Sequence, residues 1–458
     1  MMDELLRRGL SRFKGLMASR NRPRSLAEKD LPGLKRQLQE CVDGLGGEVS
    51  ARQRAARLAA TYLSLDDPGR QAMLRLIATA FGPDPAKVAE AHGAWQRALG
   101  TDAAWDTEAR LRAALGSRRT RILTHFSSMP DGVKFLVDLR ADLLRFARND
   151  PALVALDREL EVQLVTWFDV GFLELTRITW QSPAALLEKL IQYEAVHAIG
   201  SWEDLKNRLD SDRRCYAFFH PRMPLEPLIF VEVALVDDIA ANVQSLLDPS
   251  APVLDARHAN TAIFYSINNT QTGLRGVSFG NFLLKRVVED LKRDYPRLRT
   301  FATLSPIPGL TAWAGEHPEV VAESFGESDW RRLNSAGVTA ANPAALLAWL
   351  STNREWARQG ATARALRDPL QRVAARYLVE ARRGDRPADP VARFHLGNGA
   401  RIERLNWLGD TADKGLAQSW SMMVNYLYDP DRIEANVEAF MAAKPPDASA
   451  SLRRMARH

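Results

Sequence analysis

The sequence predicts an α+β protein whose first part is all-helical and whose second part mixes strands with helices. Helix-start signals and helical spacing of apolar residues dominate up to about residue 165, and strand-like apolar runs begin only after that point. A length of 458 residues exceeds what one compact core usually needs, which independently favours two domains. We therefore expect a helical domain over residues 1–165 and a second domain over residues 166–458.

Three Asp-Pro pairs mark helix starts in the first part, at Asp67-Pro68, Asp84-Pro85 and Asp150-Pro151. An aspartate caps free N–H groups, and proline at the first helical position loses no hydrogen bond. Apolar residues then recur at helical spacing, as in Met73, Leu74, Ile77 and Phe81. This pattern predicts a helical bundle without a catalytic motif.

Three apolar segments rich in β-forming residues follow in the second part, at Cys215–Phe219, Leu228–Leu235 and Thr261–Ile267. A helix is predicted over Asn281–Tyr295 and a strand over Leu298–Leu304. A strand, a helix and a further strand in this order predict neighbouring parallel strands. Residues 311–390 read as mainly helical, and the tail around 443–458 reads as frayed.

Composition excludes several classes of protein. Two cysteines, Cys41 and Cys215, exclude a disulfide scaffold and a cysteine zinc ribbon, and they favour a reducing compartment such as the cytoplasm. No apolar run approaches the roughly 20 residues of a membrane span. The net charge of +6 is spread without aromatic interleaving, so we expect no nucleic-acid partner. No His, Cys, Asp or Glu set has metal-ligand spacing, so no metal is predicted.

A glycine-containing loop joins the Thr261–Ile267 strand to the following helix, where free N–H groups and the helix dipole favour an anion such as a pyrophosphate. It fits neither the G-x-G-x-x-G nor the Walker A pattern. It resembles the acetyl-CoA loop of the GNAT acyltransferase fold, with Arg275 and Gly280 matching and Ser278 in place of the central glycine. The candidate binding residues are Arg275, Gly276, Val277, Ser278, Phe279, Gly280 and Asn281.

Two further residues are candidates for chemistry. Ser305 stands where a strand ends, and Pro306 and Pro308 are expected to hold the following backbone away from the sheet. His395 precedes Gly397-Asn398-Gly399, which predicts an irregular backbone beside it, and an imidazole is the usual proton donor near neutral pH. His220, directly after a strand and before Pro221, competes with His395 for this role.

Four segments together resemble the malonyl-CoA decarboxylase family: FFHPRMPLEPLIFVEVAL, TAIFYSINNTQTGLRGVSFGNFLLKRVVEDL, FATLSPIPGL and RFHLGNGARIERLNWLGD. The resemblance covers most of residues 165–430. It implies a helical N-terminal domain used in oligomerisation and a GNAT-like catalytic domain. It also implies an active-site serine at Ser305, an active-site histidine at His395 and a CoA loop at residues 275–281.

The resemblance implies decarboxylation of malonyl-CoA to acetyl-CoA and CO2, in which coenzyme A is part of the substrate. Because the thioester carbonyl serves as the electron sink, we expect no metal or organic cofactor. Ser305 is expected to hydrogen-bond the malonyl group and His395 to protonate the new acetyl carbon. An acyl-CoA-dependent acyltransferase and a non-catalytic acyl-CoA-binding protein remain the alternatives.

Overall fold

The computed structural model describes residues 24–44, 47–277 and 282–457, which fold as two compact units. The first unit contains the chain up to Phe172, together with His220–Pro224 and the stretch that begins at Gln271. The second unit contains Leu173–Phe219, Leu225–Thr270 and the chain after the 275–281 loop. Helices and strands are both present, and the α+β class is confirmed.

Helices build the first unit. They are α1 (Leu31–Val42), α2 (Gly47–Ser64), α3 (Asp67–Ala80), α4 (Pro85–Ala98), α5 (Ala104–Leu115), α6 (Arg118–Ser127), α7 (Gly132–Phe146) and α8 (Pro151–Trp167). Asp84 and Asp150 cap α4 and α8 as predicted, whereas α3 is capped by Asp66, one residue earlier than expected. The domain boundary predicted at residue 165 falls in the last turn of α8.

An eight-stranded sheet forms the centre of the second unit. Its strands are β1 (Glu174–Ile178), β2 (Arg213–Phe219), β3 (Ile229–Val236), β4 (Thr261–Asn269), β5 (Thr300–Thr303), β6 (Ser305–Pro306), β9 (Arg401–Asn406) and β10 (Met423–Leu427), while β7 (Arg382–Arg383) and β8 (Arg386–Pro387) form a separate hairpin. The order is β1-β2-β3-β4-β5-β10-β6, with β9 on β10. β4 and β5 are parallel, as predicted, and the other pairs are antiparallel.

The helices of the second unit cover this sheet and extend to the end of the described chain. They are α9 (Ala184–Tyr193), α10 (Trp202–Arg208), α11 (Gln244–Leu247), α12 (Phe282–Asp294), α13 (Leu310–Glu316), α14 (Pro318–Ser324), α15 (Glu327–Ser335), α16 (Pro343–Thr352), α17 (Gly360–Val379), α18 (Pro390–Gly397), α19 (Asp413–Ser419), α20 (Ile433–Met441) and α21 (Ala450–Arg457). Strands β2 and β3 are buried along almost their whole length, and most of their residues are apolar. The exceptions are the buried charged residues Arg213, Arg214 and Glu232.

Two predictions about this unit are wrong. Ser305 and Pro306 do not leave the sheet, because they pair with Val424 and Met423 of β10. The tail is not frayed, because α21 buries Leu452 and Ala456. Among the residues that the structure describes, none of the helices combines the length and the apolar character needed to cross a membrane.

Candidate active site

Ser305 lies just after the point where the parallel pairing between β4 and β5 ends, at Thr303. The antiparallel pairing with β10 is present at Ala302 and continues through Ser305. The hydroxyl groups of Thr303 and Ser305 are 2.8 Å apart, with Ser305 donating. Thr303 is held in place because its hydroxyl oxygen accepts the N–H of Tyr426 at 3.1 Å. The serine hydroxyl is therefore positioned by backbone pairing and by a buried neighbour.

His395 lies in the last turn of α18, next to the irregular backbone that was predicted beside it. Asp389 caps this helix through one carboxylate oxygen, which accepts the N–H groups of Val391 and Ala392 at 2.9 and 2.8 Å. The irregular backbone begins only after Gly397, and Gly399 has a φ of +83°. The glycines therefore end the helix just after His395.

The structure brings Ser305 and His395 together although 90 residues separate them in the chain. Ser305 Oγ is 3.0 Å from Nε2 of His395, and Tyr428 Oη is 2.8 Å from Nδ1 on the other side of the ring. The ring also stacks on Tyr426, with centroids 4.5 Å apart. Thr303, Ser305, His395 and Tyr428 therefore form one continuous hydrogen-bonded chain.

The proton positions along this chain are coupled. When Ser305 donates to Thr303 it accepts from Nε2–H, and Nδ1 then accepts the proton of Tyr428. With the other imidazole tautomer and the hydroxyl groups turned, each direction reverses: Nδ1–H donates to Tyr428, and Ser305 donates to Nε2 while it accepts from Thr303. The partner of Nδ1 is a phenol, so this arrangement differs from a Ser-His-Asp triad, in which a carboxylate stabilises the imidazolium.

Burial controls the charge of His395 and Tyr428. Desolvation lowers the pKa of His395 to about 3, and burial raises the pKa of Tyr428 well above its usual value. Both side chains are consequently neutral at pH 7 before any ligand binds.

A pocket of about 210 Å³ opens onto Ser305 and His395. Its walls are mostly apolar, formed by Val196, Phe264, Ile267, Leu304, Pro306, Pro390, Val391 and Phe394. Asn269, at the end of β4, adds an exposed amide. An apolar pocket with a few polar groups at one end suits a small acyl group and limits the access of water.

The other predicted residues lie elsewhere. His220 belongs to the first unit, where Nε2 contacts the carbonyl of Trp167 at 3.0 Å and Nδ1 accepts the N–H of Arg222 at 3.1 Å. Both contacts of His220 are with backbone groups, and His220 does not line the pocket beside Ser305, so the geometry favours His395. Arg275 is exposed, Gly276 has a φ of +90° and Val277 is buried. Ser278, Phe279, Gly280 and Asn281 lie outside the described residues.

Sequence reasoning missed Thr303 and Tyr428. Thr303 lies two residues before Ser305, so the alternation of a strand could have placed both on one face. Tyr428 directly follows β10. This strand pairs with both β5 and β6, although β10 comes more than 100 residues later in the chain. No local pattern indicates that neighbourhood. Within the described ranges, no three His, Cys, Asp or Glu side chains cluster as metal ligands.

The fold and the site together define the class of protein: a two-unit α+β protein with a buried, hydrogen-bonded serine–histidine pair beside an apolar pocket. Comparisons with known proteins narrow this class. The family model "Malonyl-CoA decarboxylase C-terminal domain" matches residues 171–458, and "Malonyl-CoA decarboxylase N-terminal domain" matches residues 81–168. The chain belongs to the malonyl-CoA decarboxylase family.

Individual relatives support this assignment over nearly the whole chain. The mitochondrial malonyl-CoA decarboxylase of Anser anser anser is 38% identical over 416 residues, covering 87% of this chain and 82% of that protein. The Rattus norvegicus enzyme is 37% identical over 462 residues, covering 98% of this chain and 89% of that protein. The crystal structure of malonyl-CoA decarboxylase from Rhodopseudomonas palustris is similar with a TM-score of 0.82 and 40% identity, covering 94% of this chain and all of that chain (100%).

Proposed function

We propose that this chain decarboxylates malonyl-CoA to acetyl-CoA and CO2, with Ser305 and His395 as its catalytic residues. The observation that carries the proposal is the Ser305–His395–Tyr428 chain at the end of an apolar pocket. Family membership supports the substrate class, and the geometry of the site supports the roles that we propose for the two residues.

The reaction needs one proton for each turnover. The malonyl thioester enters as a carboxylate, its carbon–carbon bond breaks, and CO2 leaves without charge. The electron pair remains on the thioester as an enolate, which becomes acetyl when its carbon takes up a proton. A site for this reaction must stabilise the enolate, exclude water and deliver one proton.

His395 is the proton donor in this proposal. Burial lowers the pKa of the imidazole to about 3. An anionic carboxylate in the pocket raises this pKa, because the negative charge stabilises the imidazolium. Tyr428 holds its own proton firmly because burial raises its pKa. The imidazolium is thus a better donor than the phenol, and Tyr428 orients the ring through Nδ1.

Ser305 interacts with the malonyl group in this proposal. Its hydroxyl lies between Thr303 and Nε2 of His395 and lines the pocket. It can therefore donate to an oxygen of the malonyl group while it accepts from the imidazole. This places the reacting carbon close to the proton that it will receive.

We also propose that the second unit has a GNAT-like sheet. Antiparallel strands β1 to β4 are followed by the parallel β4–β5 pair, with α12 between those two strands. The parallel pairing between β4 and β5 ends after Thr303, beside the pocket, while the pairing with β10 continues. These features support the proposal, and an acyl thioester at that point would lie next to Ser305.

The remaining expectations stay proposals. Residues 275–281 are proposed to bind the CoA pyrophosphate, with Arg275 adding charge. We propose that catalysis needs no metal or organic cofactor, that the chain self-associates through its helical unit, and that it acts in the cytoplasm. The vertebrate relatives are named as mitochondrial enzymes, so the cytoplasmic location stays a prediction.

One assay tests the activity. Protein dialysed against a chelator is incubated with malonyl-CoA labelled in the free carboxyl group, and released CO2 and acetyl-CoA are measured. We expect equal amounts of both without an acceptor or an added cofactor, and none with Ser305→Ala. CoA release that requires an amine would indicate an acyltransferase, and binding without turnover would indicate an acyl-CoA-binding protein.

A further inference from the structure

A buried arginine of the helical unit holds the start of the proposed CoA loop. Arg140 lies on α7, and its side chain is 2% exposed. Two of its guanidinium nitrogens contact carboxylates, with Nε donating to Asp157 at 2.9 Å and Nη2 lying 3.1 Å from Glu161. The third, Nη1, donates to the backbone carbonyls of Gly273 and Arg275 at 2.9 and 2.8 Å. One side chain therefore links two points of the loop to α8.

Two glycines allow the loop to lie against this arginine. A Cβ atom at Gly273 would lie 1.8 Å from the carbonyl oxygen of Val137, so only glycine permits this approach to α7. Gly276 has a φ of +90°, and a Cβ atom there would lie 2.5 Å from Glu161 Oε1. The stretch from Gln271 to Val277 accordingly packs as part of the first unit, although it follows β4 in the chain.

We propose that Arg140 is a positioning residue for CoA recognition: by holding the carbonyls of Gly273 and Arg275, it fixes the loop that presents Arg275 to the phosphates. This inference rests on the proposed function, because it assumes that the loop binds CoA. Arg140, Gly273 and Arg275 all belong to the first unit, so the contacts that carry this proposal lie within one unit.

The geometry explains why arginine is required. A guanidinium presents donors in several fixed directions, so it can satisfy two carboxylates and two carbonyls at once. A lysine at this position keeps the charge but has one nitrogen with three donors. In Arg140→Lys at least one of the carbonyls of Gly273 and Arg275 loses its donor, so the backbone at these two residues is held less firmly while the ion pair with α8 persists.

A comparison of two substrates tests the proposal. Malonyl-CoA carries the phosphates, whereas malonyl-pantetheine carries the same reacting group without them. We expect Arg140→Lys to lower kcat/KM for malonyl-CoA by about tenfold or more, the usual effect of a lost hydrogen bond to a charged group. Values of kcat/KM for malonyl-pantetheine should stay within about twofold of wild type, and the loss should be in KM rather than kcat.

Two further variants keep the test decisive. Arg145→Met is the matched control, because Arg145 lies on the same helix but pairs with Asp67 and Asp142. It should leave both substrates unaffected. If Arg140→Lys does not fold by its melting curve, Asp157→Asn takes its place, since it keeps Arg140 and removes one of its anchors. The preference for malonyl-CoA should then fall in the same direction.

The outcomes separate this inference from the proposed function. A folded Arg140→Lys enzyme with the wild-type preference for malonyl-CoA would overturn the role of Arg140, and so would an equal loss on both substrates. A wild-type enzyme that uses both substrates equally well would overturn the CoA loop and, with it, this inference. A wild-type enzyme that decarboxylates neither would overturn the proposed function itself.

Discussion

His395 contacts a different partner through each ring nitrogen, so two substitutions can separate the two contacts. The side-chain amide of Asn lies approximately where Nδ1 lies, which faces Tyr428. The side-chain amide of Gln reaches approximately to the position of Nε2, which faces Ser305. Neither amide can deliver a proton to carbon. The pair of variants therefore distinguishes loss of the proton donor from loss of either hydrogen bond.

We predict that His395→Asn and His395→Gln both bind malonyl-CoA and both lose most of their turnover. Positioned acid–base catalysis contributes about 100- to 10,000-fold, which corresponds to roughly 3–5 kcal/mol of transition-state stabilisation. Turnover, binding and a melting curve should be measured together. A stable variant with near-normal turnover would remove His395 from the mechanism.

The burial of His395 also predicts how stability depends on pH. Its pKa is about 3 in the folded chain, against roughly 6.5 in an unfolded one. As the pH falls below about 6.5, the unfolded chain takes up a proton that the folded chain excludes. This residue therefore lowers the free energy of unfolding by about 1.4 kcal/mol per pH unit in acid.

Urea unfolding of wild type and His395→Asn at pH 6.5 and pH 5 isolates this contribution, because Asp389 and other groups cancel in the difference. The gap between the two proteins should change by about 2 kcal/mol between these pH values, with wild type losing more stability in acid. Parallel pH profiles would show that the imidazole is not held neutral.

At the scale of elements, the 275–281 loop shows what local sequence patterns can predict and what they cannot. Its glycines and its position after β4 predicted an anion-binding turn, and Gly276 does adopt a positive φ of +90°. Its packing was not predictable, because Arg140 lies 133 residues before Gly273 in the chain. The same limit applies to α21, which is stable because it buries Leu452 and Ala456.

We predict that Arg275→Ala weakens the binding of malonyl-CoA more than it slows the bound complex. A contact with phosphate acts at a distance from the bond that breaks, so it stabilises ground and transition states alike. KM should rise with little change in kcat, and Arg297→Ala, an exposed arginine between α12 and β5, is the matched control. An unchanged KM with a collapsed kcat would refute the assignment.

At the scale of the whole molecule, the helical unit exposes apolar surface. Helices α4 and α5 pack against each other and bury no residue, and Trp105 of α5 is 78% exposed. Leu99 and Leu115 are also more than half exposed. Apolar surface of this kind marks sites of protein association.

We predict that the protein self-associates through this surface. Light scattering at micromolar concentration should give a mass above that of one chain, and Trp105→Glu combined with Leu115→Glu should lower it. Val253→Glu is the control, because Val253 is 51% exposed and belongs to the second unit. A strictly monomeric mass for the wild-type protein would contradict the predicted self-association.

The sequence by itself determined the class of fold, the parallel β4–β5 pair, most helix and strand positions, and the two residues proposed for catalysis. These follow from local periodicity, capping residues and motif resemblance, all of which act over short stretches of chain. Only the tertiary structure decided that Ser305, in β6, pairs with β10 and that Tyr428 and Thr303 complete the site. It also decided that Arg140 holds the backbone at Gly273. Those contacts join residues far apart in the chain, and their existence depends on strand order and helix packing, which no local pattern encodes.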